Sequence, residues 1–268
     1  MTTGLHRLVA SGWSLHLPGA DLAAALAGPL GRPPGDWARA EAPPAERAGL
    51  VVGRKGLLYK EPATRLALCA VHRALGLPPG RRPDRPVAPR TAVVACSNLG
   101  NVETVARVTR TVTAEGGHAV SVLDAPNVSS NVVASTVALW FGFGGPNLMV
   151  CSGARAGSDG LWLAGLLLRA GRADRVVLVG VEPDDEVASA LYAADDPTRP
   201  PRSGRAADDP ARPPRSGRAA EDPARRLRAG AACVVLRAWR PEAPGTAQEA
   251  LVELAPGAAP VAPPLTVG

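Results

Sequence analysis

The sequence predicts a layered α/β domain, and three observations carry that prediction. Two short, predominantly apolar runs, Thr91–Cys96 and Arg175–Val181, have the length and composition of buried strands. Between them lie stretches of helical length, and the stretch Ala156–Ala170 is apolar through Leu161, Leu163, Ala164, Leu166, Leu167 and Leu168. Glycines punctuate the joins. Strands alternating with helices give a sheet covered by helices.

Taken in order, residues 1–60 are broken by Pro and Gly, with a short strand at Leu8–Ser11 and Ala-rich helical material at Asp21–Ala27 that Asp21 can cap. A helix is predicted from Pro62 to Leu75, with Pro62 in its first turn and Gly76 closing it. Pro78–Pro89 reads as an exposed loop. After Thr91–Cys96, Asn101 is placed to cap a helix whose Val102, Val105, Val108 and Val112 recur at helical spacing, and Gly116-Gly117 ends it. Asn131–Phe141 is helical, Gly142–Pro146 a turn and Asn147–Cys151 a strand. Because its apolar residues occupy every face, Ala156–Ala170 is expected to be the most buried helix. Ala231–Ala238 and Glu249–Leu254 are the last strands.

Between them the composition changes. DDPTRPPRSGRAA at Asp195–Ala207 returns as DDPARPPRSGRAA at Asp208–Ala220, and EDPAR begins a third copy at Glu221. The unit offers only alanines on which copies could stack, so residues 195–226 are expected to form a disordered insertion in a single domain spanning 1–268. The Pro-, Ala- and Gly-rich stretch Ala255–Gly268 is expected to be a loose tail.

Composition narrows the function classes. Of 268 residues, 46% are apolar, which excludes a disordered charged tail protein, and only 3% are aromatic, so the core is built from Ala, Val and Leu. Lys+Arg exceed Asp+Glu by 30 to 24, but no aromatic run, zinc-ligand spacing or unbroken basic stretch supports nucleic acid as a partner. Cys69, Cys96, Cys151 and Cys233 form no CxxC pair and each lies in an apolar context, the pattern of buried thiols in a reducing cytoplasm. The most apolar stretch, Val132–Val150, is rich in Gly and contains Pro146, so no membrane span is expected, and no metal site or secretory signal is evident.

One segment is specific. Asp124-Ala-Pro-Asn127, then Gly145-Pro146-Asn147 running through Cys151-Ser152-Gly153-Ala154, then Gly171-Arg-Ala-Asp174 and a strand closing Gly180-Val181-Glu182 follow one another at fixed spacing. This segment resembles the β-ketoacyl-acyl-carrier-protein synthases of the thiolase superfamily, as do Ser97-Asn98-Leu-Gly100 and the strand Gly230–Arg237. Val181 stands where that family has a second glycine, and the resemblance covers roughly residues 90–240.

The resemblance implies a thiolase-like layered α/β/α fold, the N-terminal half of a duplicated architecture, with no cofactor. It implies a Cys nucleophile at the first turn of the long apolar helix, where the helix dipole favours thiolate and backbone N–H groups hold an oxyanion. Here that position is Ala154, in Ser152-Gly153-Ala154-Arg155. The family's histidines are implied to lie in a second half beyond this chain, and His6, His16, His72 and His118 are expected to be ordinary core or surface residues. Cys151 is a weak alternative nucleophile, expected to point away from the turn, and Ser152 and Ser158 have no evident base. Asn127, Met149, Cys151 and Gly153 are expected to line a substrate tunnel or a dimer interface.

Three readings stay open at this point. The chain is a non-catalytic partner resembling the chain-length factors of type II polyketide systems, which pair with an active ketosynthase and its acyl carrier protein in a homo- or heterodimer. Alternatively, it is an inactive remnant, or an acyltransferase using unrecognised residues. Chain-length factors usually carry Gln where this chain has Ala154.

Overall fold

The computed structural model describes residues 6–20, 41–81, 88–194, 229–238 and 250–254. The helix expected at Asp21–Ala27, the repeat at 195–226 and the tail at 255–268 lie outside these residues. Six strands form one mixed sheet: β1 (His6–His16), β2 (Thr91–Cys96), β3 (Asn147–Val150), β4 (Arg175–Glu182), β5 (Gly230–Ala238) and β6 (Ala250–Leu254). Their order across the sheet is β3-β2-β4-β5-β1-β6. β3, β2 and β4 are mutually parallel, and β5 is antiparallel to both β4 and β1.

The helices are α1 (Gly49–Val52), α2 (Pro62–Ala74), α3 (Val102–Glu115), α4 (Val132–Phe141), α5 (Ala156–Arg169) and α6 (Glu186–Ala194). Strand alternation assigns side chains to two layers. Val93, Ala95, Val177, Val179, Cys233 and Val235 face α1, α2 and α4. Ala92, Val94, Cys96, Val176, Leu178 and Leu236 face α5. The result is the expected α/β/α arrangement.

The most buried helix is not α5. In α2 every residue except Pro62 and Arg65 is buried, because it is wedged between the sheet, α1 and α4. On the opposite face, α5 seats Ala156, Gly160, Ala164, Leu167 and Leu168 on the strands, while Trp162 is 60% exposed and Leu166 also faces outward. A helix apolar on every face requires a neighbour on every face, and among the described residues α5 is covered on one side only. The sequence counted apolar faces but could not count layers.

Two further expectations change. β1 runs well beyond Leu8–Ser11, because its polar residues find distant partners: Ser14 Oγ donates to the carbonyl of Ala70 at 2.6 Å, and His16 Nε2 lies 2.9 Å from that of Pro43. Asn101 stands at the N-terminus of α3 but makes no side-chain cap; its Nδ2 donates instead to the carbonyls of Asn127 and Ser129. The valines of α3 do not form a core stripe, since Val102, Val105 and Val112 are exposed.

Two of the segment's motifs are scaffold at the starting ends of the parallel strands. Gly145 lies so close to β2 that a Cβ there would come 2.6 Å from the carbonyl oxygen of Thr91, which itself accepts the Gly145 N–H at 3.0 Å. Pro146 then offers its carbonyl to the N–H of Val93 at 2.8 Å, which starts the β2–β3 ladder. Gly171 ends α5 with φ +64, Ala173 is buried, and Asp174 accepts Arg90 Nε at 2.7 Å while its own N–H donates to the Arg90 carbonyl. These contacts set β4 beside β2.

Candidate functional site

The finishing ends of β2, β3 and β4 lie in one row, with Cys96 opposite both Val150 and Gly180. Ligands in open α/β sheets sit beyond such carboxyl ends. From this row the chain supplies Ser97-Asn98-Leu99-Gly100, Cys151-Ser152-Gly153-Ala154 and Glu182, bringing together three pieces far apart in sequence.

Glu182 is the hub. Its carboxylate accepts the backbone N–H of Asn98 at 2.6 Å and the Ser97 hydroxyl at 3.4 Å, and Ser97 Oγ in turn accepts the N–H of Gly100 at 2.8 Å. Burial holds the Glu182 carboxyl above its ordinary pKa, with these two hydrogen bonds acting in the opposite sense. The sequence marks Glu182 as a motif residue but not as the clasp between β4 and the β2 loop.

At the turn into α5, Gly153 has φ +66, a left-handed conformation that suits glycine, and Gly153–Arg155 form a 3-10 turn leading into the helix. Ala154 is exposed on this turn. A methyl group has no lone pair with which to attack a thioester, so the turn presents a helix N-terminus without a nucleophile. Ser152 does not replace it: its hydroxyl donates to Asp159 Oδ2 at 2.6 Å, which holds the Asp159 carboxyl below its usual range. So acidic a group is a poor general base.

Cys151 departs from the expected burial, being exposed while Cys69, Cys96 and Cys233 are buried. It does point away from the turn, with Sγ packed against Gly100. Partial desolvation, and secondarily the Glu182 carboxylate, raise its pKa and keep it a neutral thiol. Met149, expected at a tunnel or dimer interface, is half-buried against the α2/α4 core. Asn127 is buried, but its Nδ2 donates to the carbonyls of Tyr59 and Leu123, so it fixes a loop and is not gathered with residues 151–154.

The histidines lie elsewhere. His16 and His72 are buried, each with Nε2 against a backbone carbonyl, of Pro43 and of Pro78. Burial lowers both pKa values, that of His16 to about 4. His118 is exposed, and the side chain of His6 is outside the described residues. Among the described residues no group of His, Cys, Asp and Glu is arranged to hold a metal, and no helix is long and apolar enough to cross a membrane.

A solved ketosynthase/chain length factor structure from the ishigamide system superposes with a TM-score of 0.58 at 20% identity, covering 86% of this chain and 62% of that one. A type II polyketide synthase acyl-carrier protein in complex with its ketosynthase bound to the hexaketide gives a TM-score of 0.54 at 20% identity, covering 88% of this chain and 59% of that one. This chain thus spans about three fifths of the length of those structures, and at these identities the likeness establishes the fold. No curated protein matches the sequence. The sequence pattern of the family described as "Beta-ketoacyl synthase, N-terminal domain" matches residues 53–200, more than half of the chain. With the parallel strands, the Gly145-Pro146-Asn147 entry and the Glu182 clasp in place, the chain belongs to the β-ketoacyl synthase family.

Proposed function

We propose that the protein is a non-catalytic, chain-length-factor-like member of its family, working in fatty acid or polyketide biosynthesis beside an active ketosynthase and its acyl carrier protein. The observation that carries this reading is Ala154, exposed on an otherwise well-formed turn at the head of α5. Scaffold and chemistry have separated here: the contacts that shape the turn persist, and the atom that would form the thioester does not. One of the similar solved structures is a ketosynthase/chain length factor, which accords with a partner role.

In this reading the protein is a cytoplasmic subunit of a dimer. β3 is an edge strand with one side free of ladder partners among the described strands, and Leu148 on it is exposed. Trp162 and Leu166 on α5 add apolar surface. An exposed edge and an apolar patch are features of an association surface. Met149, Cys151 and Gly153 then border the tunnel or interface, and Asn127 supports it from the loop.

The test is intact-protein mass after incubation with an acyl-carrier thioester, with a product assay on malonyl-carrier protein. No adduct and no condensation product from the protein alone, together with co-purification of an added Cys-bearing ketosynthase, is the expected result. Acylation of Cys151, or any product from the protein alone, would overturn the non-catalytic reading.

A further inference from the structure

Residues 101–131 leave β2 after Gly100 and return to the body at α4, carrying α3 and the short turns Gly117–Ala119 and Ala125–Val128. Burial in this excursion is inverted. Its only buried residues are polar, Thr104 and Asn127, while Val102, Val105, Val112, Val122, Leu123 and Val128 are all exposed. Its deepest contacts are therefore polar.

Both buried residues reach the same short stretch ahead of α2. The Thr104 hydroxyl donates to the Glu61 carboxylate, and Asn127 Nδ2 donates to the Tyr59 carbonyl at 2.9 Å. Other polar contacts are internal to the excursion: Arg107 grips both carboxylate oxygens of Asp124 at 2.8 and 3.1 Å, and Asn101 holds the carbonyls of Asn127 and Ser129. At its foot Asn131 Nδ2 donates to Asn147 Oδ1 at 2.7 Å, and α3 also packs on α6.

We propose that residues 101–131 form an arm latched onto residues 59–61, and that proton uptake by Glu61 tightens the latch while proton loss loosens it. Three charged groups face Glu61: Arg107 from α3, Asp124 from the loop, and Asp185 just ahead of α6. Arg107 is already committed to Asp124. An ionised Glu61 therefore meets one shared cation and two like charges in a half-buried position. The neutral acid keeps a carbonyl oxygen for the Thr104 hydroxyl and is free of that repulsion.

Burial, the largest cause, raises the Glu61 pKa to about 7; Arg107 opposes it, and Asp124 and Asp185 add to it. When the arm lifts, Glu61 regains water and an ordinary acidity. The latched form then holds one more proton than the open form across the interval between the two pKa values, so latching weakens as pH rises through it.

Hydrogen–deuterium exchange of the full chain between pH 6 and pH 8, corrected for intrinsic exchange, reads the latch directly. Protection of peptides from 101–131, relative to β2 and β4, is expected to fall about tenfold, the equivalent of one unit of linked pKa. Glu61→Gln is expected to keep the pH 6 protection at pH 8. Asp124→Asn, which removes a like charge and frees Arg107, is expected to move the transition to lower pH. Constant relative protection in the unaltered protein, the same pH dependence in Glu61→Gln, or an unmoved transition in Asp124→Asn would each overturn the proposal.

Discussion

Glu182 Oε1, at the last residue of β4, lies 2.6 Å from the backbone nitrogen of Asn98, two residues beyond the end of β2. One side chain thereby closes the finishing ends of two parallel strands over the turn that carries Ala154. Truncation leaves the Asn98 N–H half-buried and without this acceptor. Glu182→Ala is expected to cost about 1–3 kcal/mol by urea denaturation. Glu182→Gln retains an acceptor oxygen and should cost less; equal losses would show that the contact is incidental.

Gly145 makes a different kind of demand. A Cβ there would meet Thr91 and Ala92 backbone atoms at 2.6 to 2.9 Å, and backbone cannot rotate aside. Gly145→Ala should destabilise by about 1–3 kcal/mol or more through overpacking, seen as a lowered melting temperature. A variant as stable as the parent would mean that β3 can shift along β2 without cost.

The two long apolar helices are separated by mutation. Leu68 in α2 is fully buried, so Leu68→Ala should cost about 2–5 kcal/mol. Trp162→Ala in α5 removes a larger side chain from a mostly exposed position and should change stability by about 0.5 kcal/mol or less. Comparable losses at the two sites would restore the view that α5 is enclosed.

Two groups, the buried His16 and the half-buried Glu61, give stability opposing slopes with pH. Native His16 titrates near 4 against an ordinary value of 6.5, so the unfolded chain holds the extra proton between those values and stability rises with pH there. Native Glu61 titrates near 7 against an ordinary value of 4.5, so the folded chain holds the extra proton and stability falls as pH climbs toward 7. Above pH 6.5 only the second effect remains. The urea midpoint should therefore decline from pH 6.5 to 8, and Glu61→Gln should flatten that decline; an equally steep decline in the variant would rule Glu61 out as its source.

Thiol chemistry distinguishes the four cysteines. Burial pushes Cys69 and Cys96 to about 12 and raises Cys233 as well, whereas Cys151 is exposed, its pKa raised by partial desolvation. Native iodoacetamide labelling at neutral pH should modify Cys151 alone, more slowly than a free thiol, and the other three only after unfolding. Rapid labelling of Cys151 would indicate a thiolate and reopen its candidacy as nucleophile.

How much of this was legible in sequence depends on where each residue finds its partner. Thr91–Cys96 reads correctly to the residue because a strand buried on both faces is simply a continuous apolar run. β1 reads short because Ser14 and His16 look like the end of a strand until the carbonyls of Ala70 and Pro43 meet them. The valine spacing of α3 predicts a helix and is silent about which side faces the body; Thr104, not a valine, turned out to be the inward residue. At the site, motif spacing placed Ala154, Cys151 and Glu182 on the right turns and strand ends. It could not show that Glu182 reaches Asn98, since that bond spans 84 positions.

The place of β1 in the sheet carries a consequence for biosynthesis. Leu8 pairs with Ala238, and β1 meets the parallel strands only through β5. A ribosome adding about 5–20 residues per second emits β1 roughly ten to fifty seconds before its ladder partner exists. Through that interval an apolar strand with Leu8, Val9 and Ala10 has no native edge to join. Entry of β1 into the sheet is thus gated by the synthesis of β5 and β6, and any chaperone dependence of this step should map to β1.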